Sequence, residues 1–344
     1  MELAMSLKKE TVYTILGAVI TVFALVCAGF VIKNIVSENK ADASEPVTTT
    51  YARPTKAAPV ITGAGGTETK MRKNMEVIMV CGIDNRNVIP EDNDYVHYSQ
   101  ADVIYVYAID HKNKTYQCIQ INRDTMTPVK QVVGIGEDTV ANMQICLAHS
   151  YGKTEQARCL NTVDAVEGLL FDVPVNHYIS LNMSAISVLN EQVGGVTVTI
   201  PAGMEKADPA FVEGATIKLQ GNQAETFVRA RMQLDDDSNI FRMQRQEIFM
   251  KAWKEQAKAK MNEESGFPVK MVLALSDYMT SDMTANALST LANQLKEYKD
   301  LGTLTTTGET LEEGDGRLFR EFHVDKDDLQ KKVIELFYEN VPAN

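Results

Sequence analysis

The chain has 344 residues, with 34 Lys and Arg against 46 Asp and Glu, and a formal net charge of -12. That balance excludes a nucleic-acid-binding role, since such a partner calls for a basic domain and none is visible. With 44% hydrophobic residues, the chain is long enough for one large core or for a core with an appendage.

The first element is the uncharged apolar run Thr11–Ile32, TVYTILGAVITVFALVCAGFVI. It is enough helix to cross a bilayer core of roughly 30 Å. Lys8 and Lys9 precede it and acidic residues follow Lys33, so the positive-inside bias places residues 1–10 in the cytoplasm. The expectation is a single-pass anchor in the cell membrane with the bulk of the chain outside the cytoplasm. Residues 33–74 are rich in Ser, Thr, Ala, Pro and Gly and lack apolar periodicity, as a flexible stalk does. Residues 75–344 are then expected to form one domain that includes a C-terminal helical extension.

Met75–Val80 reads as a strand that ends in the turn-like run Cys81-Gly82-Ile83-Asp84-Asn85-Arg86. Asp102 opens a second strand over 103–109, a polar turn covers 111–114, and a third strand runs over 115–122. Folded as a hairpin, this register sets Asp102 opposite Arg123 and Asp124 at the open end of the ribbon. Helical patterns follow over 144–151, 155–171 and 180–190, then strands over 196–200 and 215–219. Helices are expected over 222–231 and 241–260, a helix-rich stretch over 270–295, and an amphipathic run over 329–338. Alternating strands and helices predict an α/β fold, a central mixed sheet covered by helices on both faces.

Of the five cysteines, Cys27 falls in the apolar run. Cys81, Cys118, Cys146 and Cys159 suit either two disulfides in an oxidising compartment or small buried side chains, with Cys146–Cys159 the pair a bridge would favour. Neither their spacing nor that of the scattered His97, His111, His149, His177 and His323 suggests zinc.

The most informative residues are Arg229-Ala230-Arg231 and Arg242-Met243-Gln244-Arg245-Gln246, which put four guanidinium groups in a short stretch of an acidic chain. On the helix over 241–260, Arg242, Arg245 and Gln246 head the face that carries Phe241, Ile248, Phe249, Ala252, Trp253 and Ala257. Pairing with Asp235, Asp236 and Asp237 is the plain explanation, worth about 0 to 1 kcal/mol per surface pair. Against it, two like charges 4 Å apart cost about 4 kcal/mol at a surface-like dielectric, so converging arginines call for a strong counter-charge. A diphosphate fits their forked donors. Asp84 and Asp102 suit the other half of such a site, since carboxylates with phosphate oxygens form the usual Mg2+ shell.

The order of these runs resembles the LytR-CpsA-Psr family of cell-wall glycopolymer ligases. The matching segments begin with Cys81–Arg86, Ala101-Asp102-Val103 and Asn122-Arg123-Asp124-Thr125. They continue with Asn176-His177-Tyr178-Ile179, Leu181-Asn182, Val193-Gly194-Gly195-Val196 and Leu219–Ala224, and close with Phe227–Arg231 and Arg242–Gln246. The resemblance implies transfer of a wall polymer from a polyprenyl diphosphate carrier onto a peptidoglycan sugar hydroxyl, with the carrier tail in an apolar pocket. It gives the diphosphate to Arg123, Arg229, Arg231, Arg242 and Gln246, and Mg2+ to Asp84 and Asp102. Arg245 joins the diphosphate set by its place on the same helix face, and Asp84, Asp102, Arg123 and Arg242 form the catalytic group. No general base stands out.

Gln100, Gln144 and Asn239 stand where the family usually has arginine, lysine and an acidic residue. These replacements leave three readings: a transferase with slowed or altered-substrate chemistry, a module that binds carrier lipid or wall without transfer, and a lipid diphosphatase.

Overall fold

The computed structural model describes residues 57–63, 67–86, 95–97, 99–132, 138–230, 239–264, 266–314 and 318–341. The apolar run 11–32, most of the expected stalk and Arg231 with Asp235–Asp237 lie outside these residues. Among the described residues no helix is long and apolar enough to cross a membrane.

The chain divides into two compact units. Of the described residues, the first holds 57–182 together with 279–283 and those from 299 onward; the second holds 183–278 and 284–298.

The first unit opens with β1 (Ile61–Thr62) and β2 (Glu68–Met71). Both fall inside the stretch expected to be a stalk, which is therefore ordered at its end. Next come β3 (Met75–Ile83), β4 (Ala101–Asp110), β5 (Thr115–Ile121), β6 (Met126–Gln131) and β7 (Thr139–Gln144). A 3-10 turn over Ile145–Ser150 leads to α1 (Glu155–Leu169), capped by Thr154 Oγ1 accepting from Ala157 N at 3.1 Å, and then to β8 (His177–Asn182).

The second unit contributes α2 (Ser184–Gln192), β9 (Thr197–Thr199), β10 (Thr216–Lys218), α3 (Gln223–Arg229), α4 (Asn239–Glu263) and α5 (Phe267–Leu275). The chain returns to the first unit for β11 (Met279–Ser281), and the second is completed by α6 (Ala285–Lys296). The first unit ends with β12 (Lys299–Thr305), β13 (Gly308–Gly314), β14 (Leu318–Val324), α7 (Lys326–Phe337) and β15 (Tyr338–Asn340).

The main sheet has six strands in the order β11-β8-β3-β4-β5-β12. It is mixed, as expected: β3 with β8 and β5 with β12 are parallel, while β3–β4–β5 and β8–β11 are antiparallel. The β4–β5 pairing runs from Asp110↔Thr115 to Ile104↔Ile121, the register read from the turn. One apolar core joins Val77, Met79 and Cys81 of β3 and Ile104 and Val106 of β4 to Val163 and Val166 of α1 and Val333 and Phe337 of α7. β2 pairs with β15, so the last strand ties the end of the expected stalk to the C-terminal region.

In the second unit, Phe249, Trp253 and Ala257 of α4 are buried, but Phe241 is 46% exposed, so the expected apolar stripe stops short of the helix start. Trp253 Nε1 donates to Leu189 O at 2.8 Å, fastening α4 to α2. Gly195 holds φ +97, and a Cβ there would meet Leu219 O at 2.9 Å, which reserves the turn into β9 for glycine.

All four described cysteines are buried and none forms a disulfide, so of the two alternatives the small buried side chain is the one found, and Cys146 and Cys159 are not bridged.

Candidate active site

In the first unit, Asp84 follows the end of β3 and is tied to the strand alongside it. Its backbone N donates to Gln100 O at 3.0 Å, and its Oδ1 accepts from Gln100 N at 2.8 Å. Asp102 lies two residues further along the same neighbouring strand, so the two carboxylates are brought to one end of the sheet. Burial raises the Asp84 carboxyl above the usual carboxylate range. The Asp102 charge adds to this, while the Gln100 hydrogen bond and Arg123 oppose it.

Arg123 stands one turn beyond β5, in a tight bend where Asn122 accepts from Thr125 N at 3.0 Å and from Thr125 Oγ1 at 2.6 Å. From there its guanidinium reaches four groups. Nη1 pairs with Asp102 Oδ1, Nη2 donates to Gln100 Oε1 and to Cys146 Sγ at 3.1 Å, and Nε faces Asp124 Oδ1 at 3.3 Å. The hairpin register thus delivers the Asp102–Arg123–Asp124 juxtaposition read from the sequence. Burial pushes the Cys146 thiol up to about 12, so this neighbour is a neutral thiol.

Two of the polar replacements have defined partners here. Gln100 presents its side-chain carbonyl to Arg123, an acceptor where an arginine would bring a second cation. Gln144, which ends β7 instead of opening a helix, donates through Nε2 to Asp124 Oδ1 at 3.3 Å and to Arg320 O at 2.6 Å. Asn239 opens α4.

In the second unit, α3 and α4 pack together and hold Arg229, Arg242, Arg245 and Gln246. Arg229 is exposed and pairs with Glu225 one turn earlier at 2.6 Å. Arg242 is buried at the start of α4, and the Oε1 of Gln246 one turn on is buried without a hydrogen-bond partner among the described residues. Arg245 is buried too, and its guanidinium turns to backbone: Nε donates to Phe227 O at 3.1 Å and Nη2 to Ala230 O. That guanidinium therefore closes the carbonyl end of α3, a task the helix-face reading did not anticipate.

The carboxylate pair passes a simple test for a hard divalent cation. It offers oxygen donors only, and the Asp102 charge that helps raise the Asp84 carboxyl is a repulsion that a bound cation would relieve.

The match to known proteins is decisive for the family: the LytR_cpsA_psr family model covers residues 34–335. The chain belongs to the LytR-CpsA-Psr family. A relative from Halalkalibacterium halodurans, named polyisoprenyl-teichoic acid--peptidoglycan teichoic acid transferase TagU, is 30% identical over 175 residues, 51% of this chain and 51% of its own length. A Bacillus cereus relative of the same name is 32% identical over 151 residues, 44% of this chain and 45% of that one. The chain thus spans about half the length of these curated relatives.

Among solved structures of the family's fold, one titled TagT bound to LI-WTA superposes with a TM-score of 0.56 at 21% identity, covering 80% of this chain and 97% of that one. Bacillus subtilis TagV gives 0.55 at 22% identity, covering 77% and 98%.

Proposed function

We propose that this chain is a membrane-anchored transferase that moves a glycopolymer from a polyprenyl diphosphate carrier to a peptidoglycan sugar hydroxyl. The observation that carries it is the joint placement of Asp84, Asp102 and Arg123 at one sheet end, in a family whose matched relatives bear teichoic acid transferase names. Asp84 and Asp102 would hold Mg2+, which when bound supplies charge neutralisation to phosphate oxygens. Arg123, fixed by Asp102 and Gln100, presents a preset fork for the same oxygens. The family resemblance also gives Arg229, Arg231, Arg242 and Gln246 a diphosphate-binding role. Their task is to hold the carrier while negative charge builds on its departing phosphate, a role in which one lost donor typically costs about 10²- to 10³-fold. The apolar run 11–32 would keep the enzyme beside its lipid-linked donor.

The test is a transfer assay. The full chain in detergent is incubated with lipid-linked glycopolymer, peptidoglycan and Mg2+, beside its Arg229→Ala variant. Polymer covalently joined to the wall by the parent chain, and reduced in the variant, supports transfer. Tight lipid binding without product would make it a binding module, the reading that the replacements at Gln100, Gln144 and Asn239 favour. Released phosphate without coupling would make it a diphosphatase.

A further inference from the structure

Besides the carboxylate pair, the first unit assembles a set of donors that no cysteine or histidine spacing in the sequence suggested. His149 at the end of the 3-10 turn, with Glu155 and Cys159 one helical turn apart on α1, place one ligand atom each within 4.8 Å of one another. We propose that these three side chains form a structural site for a borderline-soft divalent cation of the Zn2+ class, distinct from the Mg2+ pair.

The distances suit that ion. His149 Nε2 lies 3.1 Å from Glu155 Oε1 and 3.8 Å from Cys159 Sγ. With Zn–N and Zn–O near 2.1 Å and Zn–S near 2.3 Å, tetrahedral angles put neighbouring ligand atoms roughly 3.3 to 3.7 Å apart. The His149–Glu155 and His149–Cys159 separations bracket that range, and all three ligand atoms lie within 4.8 Å of one another.

Each ligand is also held from behind. Ser99 Oγ bonds the other ring nitrogen of His149, Nδ1, at 3.0 Å, which aims Nε2 at the cluster. Glu155 divides its oxygens: Oε2 takes Arg158 Nε at 3.1 Å and Nη2 at 2.9 Å, leaving Oε1 toward His149. Thr154 caps the helix turn that carries Glu155.

Charge separates this reading from a plain buried ion pair. His149 and Cys159 are fully buried, as is Arg158. Arg158 already supplies a cation to Glu155, through Nε at 3.1 Å and Nη2 at 2.9 Å.

The donor set itself selects the ion. Nitrogen, oxygen and sulfur together favour Zn2+ over Mg2+ or Ca2+, which prefer oxygen alone. Cys81 adds a further soft donor beside the set, since its thiol and that of Cys159 share the Ser180 hydroxyl. Ion uptake would displace the Cys159 proton, which burial otherwise holds firmly on sulfur.

The experiment loads the full chain in detergent with Zn2+, removes the excess by dialysis, and measures bound metal by mass spectrometry. In parallel, Co2+ is loaded and its absorption recorded. Stoichiometric zinc is expected, retained by an Asp84→Asn/Asp102→Asn double variant and lowered at least tenfold in Cys159→Ser and His149→Gln. The Co2+ form should show a thiolate charge-transfer band with tetrahedral ligand-field bands. This spectrum is read on the unmutated chain and so decides the matter even if the cluster variants fail to fold. Absence of retained zinc, zinc lost in the aspartate double variant but kept in a folded Cys159→Ser, or a Co2+ spectrum without a thiolate band would each overturn the site.

Discussion

The guanidinium of Arg245 donates from Nε to the carbonyl of Phe227 at 3.1 Å, so one charged side chain of α4 terminates α3. The neighbouring Ala230 carbonyl accepts from the same group. Arg245→Ala would leave both carbonyls buried without this donor, at an expected loss of about 2 to 4 kcal/mol. Arg245→Lys should recover only part, because an ammonium cannot reproduce the fork. Arg229→Ala removes an ion pair that is exposed at the arginine and buried at Glu225, and should cost less than Arg245→Ala while impairing transfer. Urea denaturation of the three variants checks the ranking. Equal stability losses for Arg245→Ala and Arg229→Ala would refute the structural assignment of Arg245.

Arg123 has the opposite balance. It lies beyond the β4–β5 ladder, and its partners Asp102, Gln100 and Cys146 are all at the candidate site. Arg123→Lys keeps the charge but loses the simultaneous grip on Asp102 and Gln100. Transfer should fall about 10²-fold or more with the circular dichroism spectrum unchanged. Activity within a factor of two of the parent, in a folded variant, would remove Arg123 from the catalytic set.

How much of this was legible depends on how local each contact is. The Asp102–Arg123 pair could be read because a short polar turn fixes the register of two adjacent strands. β8 could not: its residues run directly into α2, and its partner β3 lies about a hundred positions earlier, so 180–190 reads as one helix. The three residues of β11 make an edge strand only because β8 is there to pair with. β1 and β2 have stalk-like composition and gain strand structure from β15, the last described strand. At the site, helix periodicity put Arg245 on the buried face but could not say that the carbonyls of Phe227 and Ala230 meet it there. The cluster of His149, Glu155 and Cys159 joins a 3-10 turn to a helix, so neither cysteine-to-cysteine nor histidine-to-histidine spacing marks it. A Glu and a Cys four apart at a helix start, with a histidine just before, was the available signal.

Trp253 tests the core of the second unit. It is fully buried and its ring nitrogen satisfies Leu189 O at 2.8 Å. Trp253→Phe keeps most of the apolar bulk but orphans that carbonyl, for an expected cost of about 1 to 3 kcal/mol. Trp253→Ala adds a cavity and should cost about 3 to 5 kcal/mol. Thermal unfolding followed by circular dichroism distinguishes the two; identical melting temperatures would show that neither packing nor the hydrogen bond matters there.

His177 gives the first unit a pH-dependent latch. Its Nδ1 lies 3.2 Å from Asp282 Oδ2, while Asp282 Oδ1 accepts from Tyr178 N at 3.0 Å, so one carboxylate holds both ends of the β8 start. The Asp282 hydrogen bond raises the His177 pKa above its usual 6.5; burial opposes this, and the charges of Asp282 and Glu76 reinforce it. Because the folded state binds the proton more tightly than the unfolded chain, the contribution is complete below about pH 6.5 and is lost as pH rises through the raised value. His111 also contacts Glu76, at 2.7 Å, and needs its own control. Melting temperatures from pH 5.5 to 8.5 should therefore fall with rising pH in the parent and in His111→Asn, with a shallower fall in His177→Asn. An unchanged slope in His177→Asn would show that the imidazolium–Asp282 pair adds nothing to stability.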